Sequence, residues 1–388
     1  MRPGAIVIGG HFQGLGAVRA LATQGVKVIV IDSEHCISRF SRYCSRFYKS
    51  PEVTDGPRFF KFLKSLAQIP EIKGSVIFPT DDETVYFLSK YHSRLSEFYR
   101  LITPKWDVVK YFYNKKLSYT LAEKTGIHIP KSIFPESIDD ISNCDLRFPV
   151  IVKPAVMRPF FKATGKKVFK ANNISELIKM YKLALKVISR EEIIVQEIIP
   201  GASKNLFSFC PVMNNGEVIA AVTAQRLRQH PMDFGRATTY AVTKRVPELE
   251  LSGTEILKAV SYNGLAEVEF IYDKRDGIYK FLEVNPRIWG WHSIAGAAGI
   301  NLPYIAYKNA VGTEDIKSPV FLENKKWIRL MTDLPTSIKA LLKKQVTGKE
   351  IWESYRGKKE FAVFSFSDPL PFAGEIFLIP YLISRRGI

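Results

Sequence analysis

Glu267, Glu269, Glu283 and Asn285 are the residues whose types and spacing carry the most chemistry in this chain. They sit in residues 264–287, where Asp273-Lys-Arg-Asp-Gly277 is a turn signal between two alternating runs. That pattern reads as a β-hairpin. One register sets Val268 against Val284 and Phe270 against Leu282, apolar on apolar. Its other face then sets Glu267 opposite Asn285 and Glu269 opposite Glu283. A slip by one residue would put Glu269 against Leu282 and mix the two faces. Facing carboxylates repel each other, so the patch demands a cation. An all-oxygen donor set suits a hard ion, Mg²⁺ or Mn²⁺, which also binds phosphate oxygens. Arg287 continues the same face, where its guanidinium can meet a phosphoryl group. The bland alternative is an acidic strand neutralised by nearby lysines.

Further residues would complete a nucleotide site. Lys153 ends the apolar run Val150-Ile-Val and precedes Pro154, an awkward position for a decorative charge. Lys115 opens a helix beside Asn114. Gln196 and Glu197 end another strand, before Ile198-Ile-Pro-Gly201. Pro200 has no N–H, so the Ile199 N–H and the Glu197 carbonyl are better placed to read an adenine edge. Arg226, Arg228 and His230 are candidates for an acidic substrate or a γ-phosphate, Arg228 first among them.

These groups need a scaffold. In the first 110 residues, apolar runs at Ala5–Ile8, Lys27–Ile31 and Ser75–Phe78 alternate with amphipathic helical stretches. Continuous β-branched runs between helices imply a parallel sheet covered on both faces. Asp81 and Asp82 read as helix caps. Around residue 110 the texture changes. A helix from Asn114 stops at Gly126, and strands follow at Val150–Lys153, Lys167–Lys170 and Ile193–Gln196, with a helix at Ser175–Ile188. Leu206–Phe209, Val218–Arg226, Ala266–Tyr272 and Tyr279–Val284 form a mostly antiparallel set. Beyond Glu314 the chain reads as more basic and less regular.

Composition bounds the rest. With 388 residues, 46% apolar and 24% charged, the chain has ample material for a core. Disordered, collagen-like and disulfide-scaffold classes are excluded. A formal charge of +18 favours acidic partners. Cys36, Cys44, Cys144 and Cys210 show no metal-site spacing and read as reduced thiols of a cytoplasmic protein. Neither a signal peptide nor a stretch long enough to span a bilayer is evident. The segment from Gly374 to Arg386 could touch an anionic membrane surface.

Lys115, the Val-Lys153-Pro strand, Gln196-Glu-Ile-Ile-Pro-Gly201, Glu269 and Leu282-Glu-Val-Asn-Pro-Arg287 occur in the order found in ATP-grasp ligases. The chain resembles that family over roughly residues 1–312. Gly9-Gly-His-Phe-Gln-Gly-Leu-Gly16, Leu227–Gly235 and Trp289-Gly-Trp-His292 look most like its D-aspartate ligase-like branch. The resemblance implies an α/β (α+β) architecture: a Rossmann-like parallel domain over 1–110, an ATP-grasp domain over 111–312 with a lid at about 118–200, and a basic C-terminal extension over 313–388. It implies ATP and Mg²⁺ or Mn²⁺ as cofactors. A carboxylate would be activated as an acyl phosphate and joined to an amine, both small molecules and acidic in character. Glu269, Glu283 and Asn285 would hold the metal, and Lys115 and Lys153 the phosphates. Gln196, Glu197 and Ile199 would bind the nucleotide. Arg287, with Lys153 and Arg228, would act on the transferred phosphoryl group. Nucleic acid is not an expected partner; a homodimer is compatible with the family.

Two departures from the family pattern stand out. Residues 155–165, where a glycine-rich lid belongs, hold one glycine and several bulky side chains. Lys166 or Lys167 would then replace backbone donors. Lys204 stands where a ribose-binding Glu is common, leaving Glu197 for that role. Two other readings compete. A nicotinamide enzyme would use Ile6–Gly10 and Asp32, but glycines at 9, 10, 14 and 16 miss the G-x-G-x-x-G spacing. A basic protein without catalysis would bind a membrane or polyanion.

Overall fold

The computed structural model describes residues 2–201, 204–232, 235, 237–313 and 320–386, the last five by backbone alone. Asp233 and Phe234 of the 227–235 motif, and the side chains of Arg385 and Arg386, therefore lie outside the described residues.

Strands β1 (Ala5–Ile8), β2 (Val28–Asp32), β3 (Arg46–Lys49), β4 (Val76–Pro79) and β5 (Arg100–Leu101) form a parallel sheet in the order β3-β2-β1-β4-β5. β1, β2 and β4 are buried throughout, as continuous apolar strands between two helical layers should be. Helix α1 (Phe12–Ala22) covers one face, and α2 (Asp82–Lys90) follows β4. Asp81 caps α2, its carboxylate accepting the Thr84 N–H at 2.8 Å. That is the helix-cap role expected of it. Asp32 turns inward and accepts the N–H groups of Gly10 (2.6 Å) and Glu34 (2.9 Å). Its identity follows from the β1–α1 turn, with no need of a dinucleotide ribose.

Helix α3 (Lys115–Lys124) leads into a second sheet and is capped by Asn114, which accepts from Lys116 and Leu117. That sheet holds β6 (Ser132–Ile133), β7 (Val150–Pro154), β8 (Phe169–Ala171) and β9 (Ile193–Glu197), in the antiparallel order β6-β9-β7-β8. The basic stretch after β7 is not a loop. It folds as helix α4 (Met157–Thr164), closed by Gly165 at φ +66°. Helix α5 (Ile174–Leu185) packs on the sheet through Leu177, Tyr181 and Ala184.

The third sheet is the largest. It comprises β10 (Leu206–Asn214), β11 (Glu217–His230), β12 (Ala237–Thr243), β13 (Gly264–Leu265), β14 (Glu267–Asp273), β15 (Ile278–Asn285), β16 (Lys326–Ile328) and β17 (Lys359–Phe361). Their order is β15-β14-β10-β11-β12-β16-β17, with β13 beside β10. Helix α6 (Pro247–Lys258) and the buried Phe207, Phe209, Val268, Phe270 and Phe281 share one core. Helix α7 (Leu302–Val311) joins α1, Trp289 and Trp291 in the core between the first and third sheets.

Residues past 313 are more regular than their composition suggests. β16 and β17 extend the third sheet, and helices α8 (Leu330–Leu342), α9 (Gly348–Tyr355) and α10 (Leu370–Arg386) follow. Asp368 binds Arg19, Ser41 and the Arg42 N–H, tying this segment to the parallel sheet's helical layer. α8 escapes a pattern search because its polar side faces inward. All four cysteines are free thiols. No helix among the described residues is long and apolar enough to cross a membrane.

Candidate functional site

Strands β14 and β15 pair as the hairpin pattern requires at Glu267–Asn285, Val268–Val284 and Glu269–Glu283. Beyond Glu269 the register shifts, and Phe270 faces Phe281 where the alternation predicts Leu282. The reason is a β-bulge, which inserts one residue and re-aims a side chain. Phe281 drops into the core against Phe270, with ring centroids 6.0 Å apart. Leu282 turns to the other side and packs with Ile199, Leu206 and Ile271. The bulge thus separates a core residue from a cleft residue.

On the polar face, the Asn285 amide donates to Glu267 (3.1 Å) and Glu269 (3.0 Å). Arg287 donates to the Asn285 oxygen at 3.0 Å, fixing which way the amide points, and reaches Asp82 at 2.5 Å. The repulsion expected between the acids is answered by cations of the chain itself. Arg226 lies 2.6 Å from Glu269 and 3.9 Å from Glu267, and the Lys115 ammonium contacts Glu283. Burial, reinforced by neighbouring Glu269, pushes Glu267 up to about 8. Burial also works against ionised Glu283, but the Lys115 ammonium outweighs it and holds that carboxylate below the usual range. Among the described residues, no three His, Cys, Asp or Glu side chains already form a cage for an ion. The donor set counts Asn285, and two of its acids are engaged by Arg226 and Lys115.

Lys153 is buried at the end of β7 and donates to Tyr119 (2.6 Å) and Gln196 (2.8 Å). Gln196 is held in turn by Ser132 at 2.8 Å. Glu197 is also buried, accepting the Arg147 N–H at 2.9 Å and lying 3.5 Å from Arg275. The Ile199 side chain is an apolar wall. Lys204 is turned away to Glu350 at 2.6 Å.

Two connected spaces run past these residues. A slot of about 200 Å³ is lined by the apolar Ile151, Ile199, Ile271 and Leu282 and by the charged Lys115, Lys153, Lys167, Arg226, Glu269 and Glu283. Glu269 and Glu283 therefore face one space. A larger cavity of about 740 Å³ shares Lys115, Lys167 and Glu283 with it. Its other walls include Asp82 and Glu83 of α2, Val109 and Phe112, and Arg158 and Phe161 of α4. Arg158 pairs with Glu83, so α4 reaches across to the parallel-sheet layer.

Arg228 is not in the cleft, contrary to the sequence expectation. It is buried on the other side of β11, forming a two-bond pair with Asp333 (2.9 and 2.7 Å) and stacking 4.4 Å from the Tyr240 ring centroid. β11 is irregular between Arg226 and Arg228 and again before Gln229. Arg226 and Gln229 consequently line the slot while Arg228 does not. Simple alternation would put 226 and 228 on one face; the irregularity of β11 separates them. From sequence, Tyr119 and Arg158 also carried no role; for Arg158 the basic run after β7 was the available signal. His292 is buried beneath α1, its Nδ1 2.8 Å from the Trp289 carbonyl. The 289–292 motif therefore belongs to packing.

A parallel layer, a small antiparallel sheet and a large antiparallel sheet carrying paired acids enclose this cleft. Residues 189–331 match the family described as "ATP-grasp in the biosynthetic pathway with Ter operon". The fold is that of the ATP-grasp superfamily. Solved structures share the fold. Biotin carboxylase from Campylobacter jejuni, in its β-γ-ATP complex, superposes with a TM-score of 0.66 at 16% identity, covering 83% of this chain and 74% of that one. The biotin carboxylase domain dimer of Hydrogenobacter thermophilus 2-oxoglutarate carboxylase, with MgADP and bicarbonate, gives 0.65 at 15%, covering 84% and 74%. In sequence, the carbamoyl phosphate synthase large chain of Myxococcus xanthus is 24% identical over 340 residues, 80% of this chain and 29% of that protein. The chain spans less than a third of the length of the first curated relatives it matches.

Proposed function

We propose that this ATP-grasp chain is an ATP-dependent ligase that activates a carboxylate as its acyl phosphate and joins it to an amine. The observation that carries the proposal is the convergence of Glu269, Glu283 and Asn285 where the apolar slot opens into the larger cavity. The slot suits an adenine ring between Ile151, Ile199, Ile271 and Leu282, with Gln196 and Glu197 on its polar side. Lys153, Lys115 and Lys167 lie along the run of the phosphates. Hard divalent ions fit the acidic face, since Arg226 and Lys115 already stand in for positive charge there. Glu269, Glu283 and Asn285 would hold Mg²⁺ or Mn²⁺, which would neutralise charge on the phosphate oxygens. Lys115 and Arg226 would then be released toward the phosphates.

In the reaction, a carboxylate oxygen attacks the γ-phosphorus and the bond to ADP breaks. The amine then attacks the acyl carbon, loses a proton, and inorganic phosphate leaves. Arg287, fixed by Asp82 and Asn285, steadies the phosphoryl group and the acyl phosphate. Positioning and charge neutralisation supply most of what phosphoryl transfer needs. The walls of the larger cavity, with Val85, Val109, Phe112 and Phe161, favour an organic acid with an apolar portion over bicarbonate. An amino acid as the amine, as in the D-aspartate ligase-like branch that the sequence resembles, is the finer form of the proposal.

Incubation with Mg·ATP and a panel of carboxylates and amino acids, tracking phosphate release, tests the reaction. One pair should release phosphate stoichiometrically with amide. Absence of any melting shift with saturating Mg·ATP would sink the proposal, because a ligand at about 100 Kd should stabilise by about 2.7 kcal/mol.

A further inference from the structure

Helix α8 is inside out. It buries Asp333, Thr336, Ser337 and Ala340, and exposes Leu334 (50%), Ile338 (53%), Leu341 (43%) and Leu342 (80%). The exposed set recurs at i, i+4, i+7 and i+8, one continuous stripe of a helix. An ordinary surface helix turns such a stripe to the core. Here the polar side is held instead. Asp333 takes two bonds from Arg228 and one from the Tyr355 hydroxyl (2.8 Å), and Thr336 lies 2.8 Å from His230 Nδ1. That buried network fixes the orientation, so the leucines cannot roll inward without stranding a charge.

The exposed charges on α8 itself and in the turn that follows it are all positive, while on α9 Lys349 is paired with Glu353 at 4.0 Å. Lys339, Lys343 and Lys344 are all exposed, and the only acid between Leu330 and Thr347 is the buried Asp333. Trp352 of α9 is exposed as well, at 69%. Apolar residues on one side with lysines beside them are what lets a helix lie in the boundary of an anionic bilayer. A second copy of this chain fits worse, since each would bring the same lysines to the contact on a +18 chain. We propose that the outer face of α8 docks this protein onto a negatively charged lipid surface, by leucine insertion and lysine attraction. The Gly374–Arg386 segment is a different surface and is not needed for it.

Co-sedimentation of the full chain with vesicles tests this, using phosphatidylcholine alone and phosphatidylcholine with phosphatidylglycerol at 7:3, in low and in 0.5 M salt. The full chain should bind the anionic vesicles at low salt and bind neutral ones at least tenfold more weakly. Leu341→Ser with Leu342→Ser leaves the charge unchanged and should weaken anionic binding about tenfold, with melting temperature and the Mg·ATP shift retained. Lys339→Gln, Lys343→Gln and Lys344→Gln together should reduce the salt dependence. Binding that survives both variants would overturn the proposal, as would no binding to anionic vesicles. So would a concentration-dependent dimer abolished by the two serines. Mg·ATP binding is read separately, so loss of lipid binding and failure of the ligase proposal are distinguishable.

Discussion

Glu283 and Glu269 face each other across two strands, and their charges are balanced in this structure by Lys115 and Arg226. Glu283→Ala should therefore abolish ATP-dependent phosphate release, by about 100-fold or more, with a melting temperature close to that of the parent. Removing Glu283 empties a donor position and leaves the Lys115 ammonium without its partner, a cost offset in part by relief of the repulsion with Glu269. Global unfolding of that variant would count against the site. The two arginines of β11 make a sharper pair. Arg228→Ala leaves Asp333 buried without its partner and should cost about 3–5 kcal/mol in denaturant titrations. Arg226→Ala should cost less stability and more phosphate release. Equal stability losses would remove the distinction drawn between cleft and core arginine.

At the scale of elements, α1 packs against the 288–292 segment in the core between the parallel layer and the large sheet. A Cβ on Gly16 would lie 2.7 Å from His292 Cε1, closer than a relaxed packing allows. Gly16→Ala should thus destabilise by about 1–3 kcal/mol, the usual result of overfilling a packed interior. A substituted protein as stable as the parent would mean that the segment gives way freely. The glycines that suggest a dinucleotide turn have their explanation here, in close packing and the Asp32-bound turn. Helix α4 shows the opposite case. Its bulky residues stand where a flexible glycine-rich loop is familiar, and they build a wall of the larger cavity.

For the molecule as a whole, His292 links acid sensitivity to the junction of the sheets. Burial lowers its imidazole to about 4, against an ordinary value of 6.5. The charged form is disfavoured in the fold, so this contribution to stability is complete above about pH 6.5. It is lost as pH falls through about 4, worth at most about 3 kcal/mol. In an NMR titration the His292 ring signal should stay neutral between pH 7 and 5; titration near 6.5 would show that the junction is open to water.

What the sequence determined by itself was local and periodic. Continuous β-branched runs announced the parallel strands, the alternation over residues 264–287 announced the acidic hairpin, and Asn114 and Asp81 announced helix starts. Those signals are short-range, because pleat, helix pitch and capping act within a few residues. Only the tertiary structure decided which arginine of β11 faces the cleft, since an irregular strand reverses a side chain without any mark in composition. It alone turned α8 polar side inward, because the deciding partner, Arg228, lies 105 residues away. Likewise, Leu282 became part of the slot only once Phe281 had claimed the core position beside Phe270. Long-range packing chooses between alternatives that local patterning leaves equal.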